Sequence, residues 1–328
     1  MVVRGAKVEN VEQSPVQGPS PGPDAQRAMD ALDWAVVQAE RGGELKAEEA
    51  IKAASVDFRA AATSYVDAMR MRLDRIVMSG DAEAGLDALL VTGALVAILP
   101  EVEAMVGFGD GEWRHKDVWK HTKQVVRQAV PKLEVRWGAL LHDIGKIKTR
   151  SISESGEVHF FGHAEVGARM FDKLDRRMPL FRKDQALKSS VRFLILHHLR
   201  ASQYEPSWTD SAVRRFTKEM GCGLDDVLNL SRADITTKRP EKKRKGLKQI
   251  SDLAERVRVI AEQDAIVPPL PSGIGDDMMK AFGIPPSRRI GDLKKALEAA
   301  VDAGEVISHQ DSAFYLAFLR ENAERFGL

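Results

Sequence analysis

His142 and Asp143 stand side by side in the run LLHDIGK at residues 140–146, and an imidazole next to a carboxylate offers two ligands to one metal ion. Further residues of the same chemistry surround the pair: His121 upstream, and His163, His197, His198 and Asp234 downstream. Seven of the eight histidines fall between residues 115 and 198, a clustering that packing needs alone do not explain. Imidazole and carboxylate are borderline to hard ligands and no thiolate accompanies them. The set therefore suits one or two divalent transition ions such as Mn, Fe, Co, Ni or Zn, and excludes a structural cysteine-type zinc site. Such an ion lowers the pKa of a bound water and neutralises charge developing on a phosphoryl group, so the chain reads as a metal-dependent hydrolase.

A central site requires that the elements carrying these residues turn them inward. On a helix over 117–129, His121 shares a face with Val118, Thr122, Val125 and Ala129. A helix over 162–176 sets His163 with Val166, Gly167, Met170 and Leu174, and one over 184–198 aligns Leu187, Val191, Leu194 and His198. The segment 224–234 aligns Val227, Leu230 and Asp234. These faces can converge on one point. By contrast, His115 and His159 read as packing residues and His309 as surface or packing.

Around these helices the composition favours a mainly α fold: aromatics make up 6% of the chain, β-branched runs are short, and Ala, Leu, Arg, Glu and Asp dominate. The one strand signal is a small hairpin around Ser155-Gly156, where Val158 and Phe160 alternate. A length of 328 residues exceeds a single compact core, so helical extensions are expected on both sides of a main domain. Residues 1–23, rich in Pro, are expected to form a disordered tail, 24–106 an N-terminal helical subdomain, 107–265 the main domain, and 266–328 a C-terminal helical subdomain after the boundary VPPLPSG. Within the first of these, helical patterns run from Asp24 to Gly42 and from about Lys46 to Met78, followed by two short helices interrupted by Gly93 and Pro100.

The net charge of +1 excludes a broadly basic nucleic-acid binder. One local exception is the stretch Lys238 to Lys248, with seven Lys/Arg and one Glu, ahead of an expected helix over 249–265; it either contacts an RNA backbone or is a solvated loop, and no aromatic platform stands beside it. The single cysteine, Cys222, has no partner for an internal disulfide and reads as a reduced, partly buried thiol, which fits a cytoplasmic protein. No apolar run reaches the roughly 18 residues that span a bilayer, and the N-terminus lacks the apolar core of a signal peptide.

The ordered series His121, His142-Asp143 and Asp234 resembles the HD superfamily of metal-dependent phosphohydrolases, all-helical enzymes acting on phosphomonoesters, cyclic phosphodiesters or nucleoside polyphosphates. The stretches KDVWKHT (116–122), LLHDIGKIKT (140–149), FFGHAEVGARM (160–170), ILHHLR (195–200), SAVRRF (211–216) and LSRAD (230–234) are more specific, and look like the HD region of bacterial tRNA CCA-adding nucleotidyltransferases. Residues 71–102 resemble the neck and body helices of those enzymes and the segment from Ile266 their tail, so the likeness covers roughly 50–325. The resemblance implies that His121, His142, Asp143 and Asp234 are metal ligands, with Asp143 placed to orient or bridge the attacking water. In two-metal branches the positions matching His163, His197 and His198 are ligands too. The GYP signature that usually marks the cyclic-dinucleotide branch is not found, and nothing upstream of Asp24 supplies the Gly-Ser loop and paired aspartates of a nucleotidyltransferase head, so CTP and ATP addition by this chain alone is not expected.

Four cations are candidates for the substrate's phosphate. Lys146 lies one helical turn past Asp143 and either meets a non-bridging oxygen or rests at a helix C-terminus. Arg200, Arg214 and Arg215 carry forks that bind phosphate bidentately, though at least one of them is expected to serve as a surface salt-bridge partner. The expected function is hydrolysis of a phosphomonoester or a 2',3'-cyclic phosphodiester on a nucleotide or RNA end. The alternatives are a non-catalytic tRNA-binding body and tail of a split CCA-adding enzyme, and a nucleoside triphosphate hydrolase.

Overall fold

The computed structural model describes residues 21–42, 58–109, 117–266 and 268–328. The Pro-rich run up to residue 20, the 46–57 part of the second expected helical region, connector residues 110 and 111, and His115 lie outside the described residues.

Helix α1 (Pro23–Arg41) opens with a proline in its first turn, where a missing N–H costs nothing, and ends at Gly42 with φ 68°. Its stripe of Ala28, Leu32, Ala35, Val36 and Ala39 is buried against α3 and α4. There follow α2 (Arg59–Ser64), α3 (Val66–Met78), α4 (Ala82–Val91), α5 (Ala94–Ile98) and α6 (Pro100–Glu103), with the breaks at Gly93 and Pro100 that the sequence predicts. The site-bearing helices are α7 (Val118–Gln128), α8 (Leu133–Leu141), the single turn α9 (Lys146–Thr149), α10 (His163–Arg177), α11 (Gln185–His197), α12 (Asp210–Met220) and α13 (Leu224–Ala233). Between α9 and α10, β1 (Ser151–Ile152) pairs antiparallel with β2 (Val158–His159), Ser151 opposite His159 and Ile152 opposite Val158; this is the expected hairpin. The long α14 (Pro240–Ile266) leads to α15 (Ile274–Phe282), α16 (Arg288–Asp302), α17 (Ser312–Glu321) and α18 (Ala323–Phe326). The fold is mainly α.

Two expectations need correction. Helix α14 begins at Pro240 rather than near Gln249, because proline is preorganised for a helix's first turn, so most of the basic run is helix surface and not a loop. Cys222 is exposed, since it sits on the one-turn helix Gly221–Gly223, none of whose residues is buried.

One hydrophobic core runs without a break from Ala25 in α1 to Leu253 in α14, so the division drawn at residue 107 does not separate two cores. Helix α3 packs on α8 and α4 on α7. Buried Arg70 of α3 fixes the first of these contacts: its guanidinium lies 4.4 Å from the Phe181 ring centre and 5.2 Å from that of Trp137, while Asp74 receives both Arg70 Nε (2.5 Å) and Trp137 Nε1 (2.7 Å). A second core, built on Leu270, Met278, Leu297, Val301 and Tyr315, belongs to α15–α17. The bidentate pair Arg214–Asp264 ties α12 to the end of α14, and the pair Lys218–Asp302 ties α12 to α16 of that unit, all at 2.7 Å.

Glycine sets the spacing at the centre of the first core. A Cβ on Gly145, just before α9, would lie 2.0 Å from the His163 carbonyl oxygen and 2.7 Å from the Gly167 amide nitrogen, both backbone atoms of α10. Only a residue without a side chain lets the turn after Asp143 touch α10. The substitution Gly145→Ala is therefore expected to cost about 2 to 3 kcal/mol of stability, read as a lowered thermal midpoint, because the backbone rather than a flexible side chain must move.

Candidate metal centre

Asp117 starts α7 by accepting the Lys120 amide proton at 3.1 Å, and the buried stripe Val118, Thr122, Val125 carries His121 inward. Helix α8 delivers His142 and Asp143 at its C-terminal end, both 1% exposed. His163 is the first residue of α10, entered through Gly162 with φ 71°. His198 and Asp234 cap the C-termini of α11 and α13.

Each imidazole is held through Nδ1. His142, His163 and His198 each reach the carbonyl oxygen three residues earlier, on Ala139 (2.8 Å), Phe160 (2.7 Å) and Ile195 (2.8 Å), and His121 Nδ1 meets the Thr236 hydroxyl at 2.8 Å. A carbonyl only accepts, so in His142, His163 and His198 a proton sits on Nδ1 and Nε2 is the atom turned to the interior. Gln128, two turns past His121 on α7, donates to the Ala233 and Ile235 carbonyls and so holds the Asp234 segment.

The Nε2 atoms and carboxylates form two groups: His121, His142 and Asp234, and Asp143, His163 and His198. In the first, His121 Nε2 lies 2.9 Å from Asp234 Oδ1 and His142 Nε2 3.6 Å from the same oxygen. Asp143 joins the two. Its Oδ2 faces His142 (3.2 Å) and His121 (3.5 Å), and its Oδ1 faces His163 (3.6 Å) and His198 (4.0 Å). The 3.2 Å approach of His142 Nε2 to Asp143 Oδ2 is an ion-pair contact without hydrogen-bond direction, which leaves His142 Nε2 buried without a hydrogen-bond partner; Asp143 Oδ1, no nearer than 3.6 Å to His163 Nε2, is buried without one as well. His163 Nε2 and His198 Nε2 stand 3.1 Å apart, two lone pairs face to face unless something positive lies between them. Buried polar atoms left without hydrogen bonds, inward Nε2 atoms and outer partners on every ring are the chemistry of a divalent metal site, and the residues fit one.

The two groups differ in charge. Burial pulls the His142 pKa down, but the Asp143 charge and contacts to Asp143 and Asp234 outweigh it and raise it to about 10. Burial opposes ionisation of Asp143 and Asp234, yet His142, followed by Lys146 and His121, keeps the Asp143 carboxyl well below the usual range, and His121 and His142 do the same for Asp234. His198, buried and close to the His142 charge, falls to about 4, and burial lowers His163 as well. In the metal-free protein His142 thus carries a second proton, held by the Asp143 and Asp234 charges, while His163 and His198 stay neutral.

The remaining predicted residues are dispersed. Lys146 Nζ is 2.7 Å from Asp143 Oδ2 and 5.6 Å from the Phe160 ring centre, at the mouth of the centre. His197 falls in neither group: its ring packs on Phe193 with centres 4.3 Å apart, because the residue after it, not His197, carries the inward face of α11. Arg200 is paired with Glu219 at 2.5 Å, Arg214 is committed to Asp264, and Arg215 is exposed on α12. His159 is half-buried on β2, and His309 lies 3.6 Å from Asp264. Thr236 and Gln128 were not singled out from sequence. The signals for them were the spacing of two residues after Asp234 and the helical period from His121.

Residues 118–266 match the HD domain family. They form an HD domain. Beyond that segment, the chain is 30% identical over 291 residues to the A-adding tRNA nucleotidyltransferase of Deinococcus radiodurans, covering 86% of this chain and 64% of that one. It is 29% identical over 265 residues to the CC-adding tRNA nucleotidyltransferase of Thermus thermophilus, covering 78% and 57%. Over 140 residues it is 31% identical to the multifunctional CCA protein of Pseudomonas aeruginosa strain PAO1, covering 41% and 33%. The chain thus spans about three fifths of the length of the first two relatives.

Two outcomes are expected of the HD centre. Metal binding must displace the His142 proton, so affinity for Mn or Ni rises with pH through neutrality, by up to about tenfold per unit below a pH of about 10, with proton release measurable by calorimetry in buffers of different ionisation enthalpy. The substitution Thr236→Val, which removes the partner of His121 Nδ1, is expected to weaken metal affinity by roughly 10- to 100-fold with the fold intact by circular dichroism.

Proposed function

We propose that this chain is a metal-dependent phosphohydrolase that cleaves a phosphomonoester, a 2',3'-cyclic phosphodiester, or both, on a nucleotide or RNA end. The observation that carries this reading is the split use of Asp143, whose two oxygens face separate ligand groups while one of them has no hydrogen-bond partner. His121, His142 and Asp234 would hold one ion, and His163 and His198 a second, with Asp143 between them. A bound divalent ion would supply an acidified water at neutral pH and positive charge for the phosphoryl oxygens.

The chain's own groups do the rest. Asp143, 1% exposed and kept ionised, offers an acceptor for the attacking water's proton. Lys146 holds a cation at the mouth, in contact with Asp143 and able to swing to a non-bridging phosphate oxygen. Arg200 can join only by leaving Glu219, whereas the bidentate contact of Arg214 with Asp264 sets it apart from phosphate binding. The exposed cations at the start of α14, four residues and more past Asp234, give a polyanion such as RNA a salt-sensitive approach to the centre.

A second reading is favoured by one specific finding: the likeness to the A-adding enzyme covers 86% of this chain, well beyond residues 118–266. On that reading the chain grips tRNA while a nucleotidyltransferase head acts. It requires tRNA binding that chelators leave unchanged, and no phosphate release.

The deciding experiment is phosphate release from 2',3'-cyclic AMP, nucleoside monophosphates, nucleoside triphosphates and an aryl phosphate, with Mn or Ni added. Turnover is expected on monoester or cyclic substrates and should vanish in Asp143→Ala; absence of turnover on every substrate by metal-loaded protein would sink the hydrolase reading. Release from triphosphates alone would redirect it to a nucleoside triphosphate hydrolase. Lys146→Ala is expected to lower kcat by roughly 100-fold with KM changed far less, as for other groups that meet charge only as it develops.

A further inference from the structure

We propose that Phe161, stacked on His159, is a platform for the base of the nucleotide or RNA end whose phosphate occupies the HD centre. This rests on the phosphohydrolase reading and adds to it the part of the substrate that the metal ligands do not see.

Phe161 is 78% exposed, more than any other large hydrophobic side chain among the described residues. It is not a loose surface ring. The His159 ring lies against it with centres 4.9 Å apart and planes at 14°, the one parallel stack among the described ring pairs; the others meet at 44° or more. Tilted and edge-on pairs fill interiors, whereas a parallel pair presents a flat face. Here one face of the Phe161 ring is backed and the other is open.

The position ties that face to the chemistry. Along the end of the hairpin, Phe160 supplies the carbonyl that holds His163 Nδ1 and the ring beside Lys146 Nζ, while the next residue, Phe161, stays in solvent. Two residues later comes His163 itself, through the left-handed Gly162. Two residues of chain span at most about 7 Å, so the open ring is tethered close to the centre, at a separation a nucleotide bridges between phosphate and base.

The surroundings select the occupant. Lys148 and Arg150, on the turn and the approach to β1, are exposed, and among the described residues neither takes part in an ion pair. The neighbouring apolar surface is Ile152, 59% exposed on the strand paired with β2. Two exposed apolar side chains are far too little for a protein interface, but a single open ring face matches a base, and the Lys148 and Arg150 cations of the adjoining turn offset Glu157, whose carboxylate lies 3.9 Å from His159 Nε2. Stacking on an aromatic accepts any base, so the platform confers preference for nucleotides over other phosphate esters rather than preference among bases.

The test compares substrates that differ by the base. For whichever the metal-loaded protein turns over, kcat/KM for AMP is measured against that for ribose 5-phosphate, or kcat/KM for 2',3'-cyclic AMP against that for ribose 2,3-cyclic phosphate. Phe161→Ala is expected to lower the ratio roughly tenfold, through KM, and Phe161→Trp to restore it. A ratio unchanged in Phe161→Ala, with turnover retained, overturns the platform and leaves the hydrolase standing. Absence of turnover on any substrate defeats the hydrolase reading instead, and the platform is then read by binding. Fluorescence of the Phe161→Trp variant should be quenched by AMP or a short oligoribonucleotide and not by ribose 5-phosphate; equal response to both overturns it.

Discussion

A fully buried carboxylate organises this protein. An ion taken out of water loses several kcal/mol of solvation, and the loss must be met by charge or hydrogen bonds placed around it. Asp143 meets it through groups supplied by separate stretches of chain: His121 from α7, His142 and Lys146 from the α8–α9 corner, His163 from α10 and His198 from α11. Helix packing, the glycine contact between the α9 turn and α10, and the Nδ1 acceptors all serve to bring those groups together. Yet the compensation is incomplete, since one oxygen of Asp143 and one nitrogen of His142 still lack hydrogen bonds. An interior that tolerates such orphans has been shaped around something more than its own stability.

Much of this was legible before any coordinates. Helical periodicity placed His121, His163, His198 and Asp234 on buried faces, and the structure gathers them around His142-Asp143. That reading succeeds because a 3.6-residue repeat carries direction: a residue in phase with the apolar stripe must point inward. The sequence reading keeps both His197 and His198 as ligands, although the same rule favours His198. Adjacent positions on a helix differ by about 100°, and the apolar stripe Leu187, Val191, Leu194 is in phase with His198 only.

Where sequence fell short, the missing information was partnership in space. Nothing in SAVRRF announces that Arg214 will be claimed by Asp264, 50 residues away. The basic run after Asp234 reads as a loop by composition, but Pro240 at the start of α14 turns it into helix surface. The exposure of Cys222 likewise depends on which neighbours reach the Gly221–Gly223 turn. Such facts depend on contacts that local patterns do not encode.

The continuous core has a bearing on how the metal-binding segment is to be thought of as a module. Residues 118–266 share their apolar floor with α1 to α6: Trp137 is stacked beneath an arginine of α3, and the inner side of α7 rests on α4. An excision along the family boundary would cut through packed side chains, exposing oily surface on both pieces. The segment is therefore recognisable on its own but not portable; grafted to another scaffold, it would need a substitute for the helices it leaves behind.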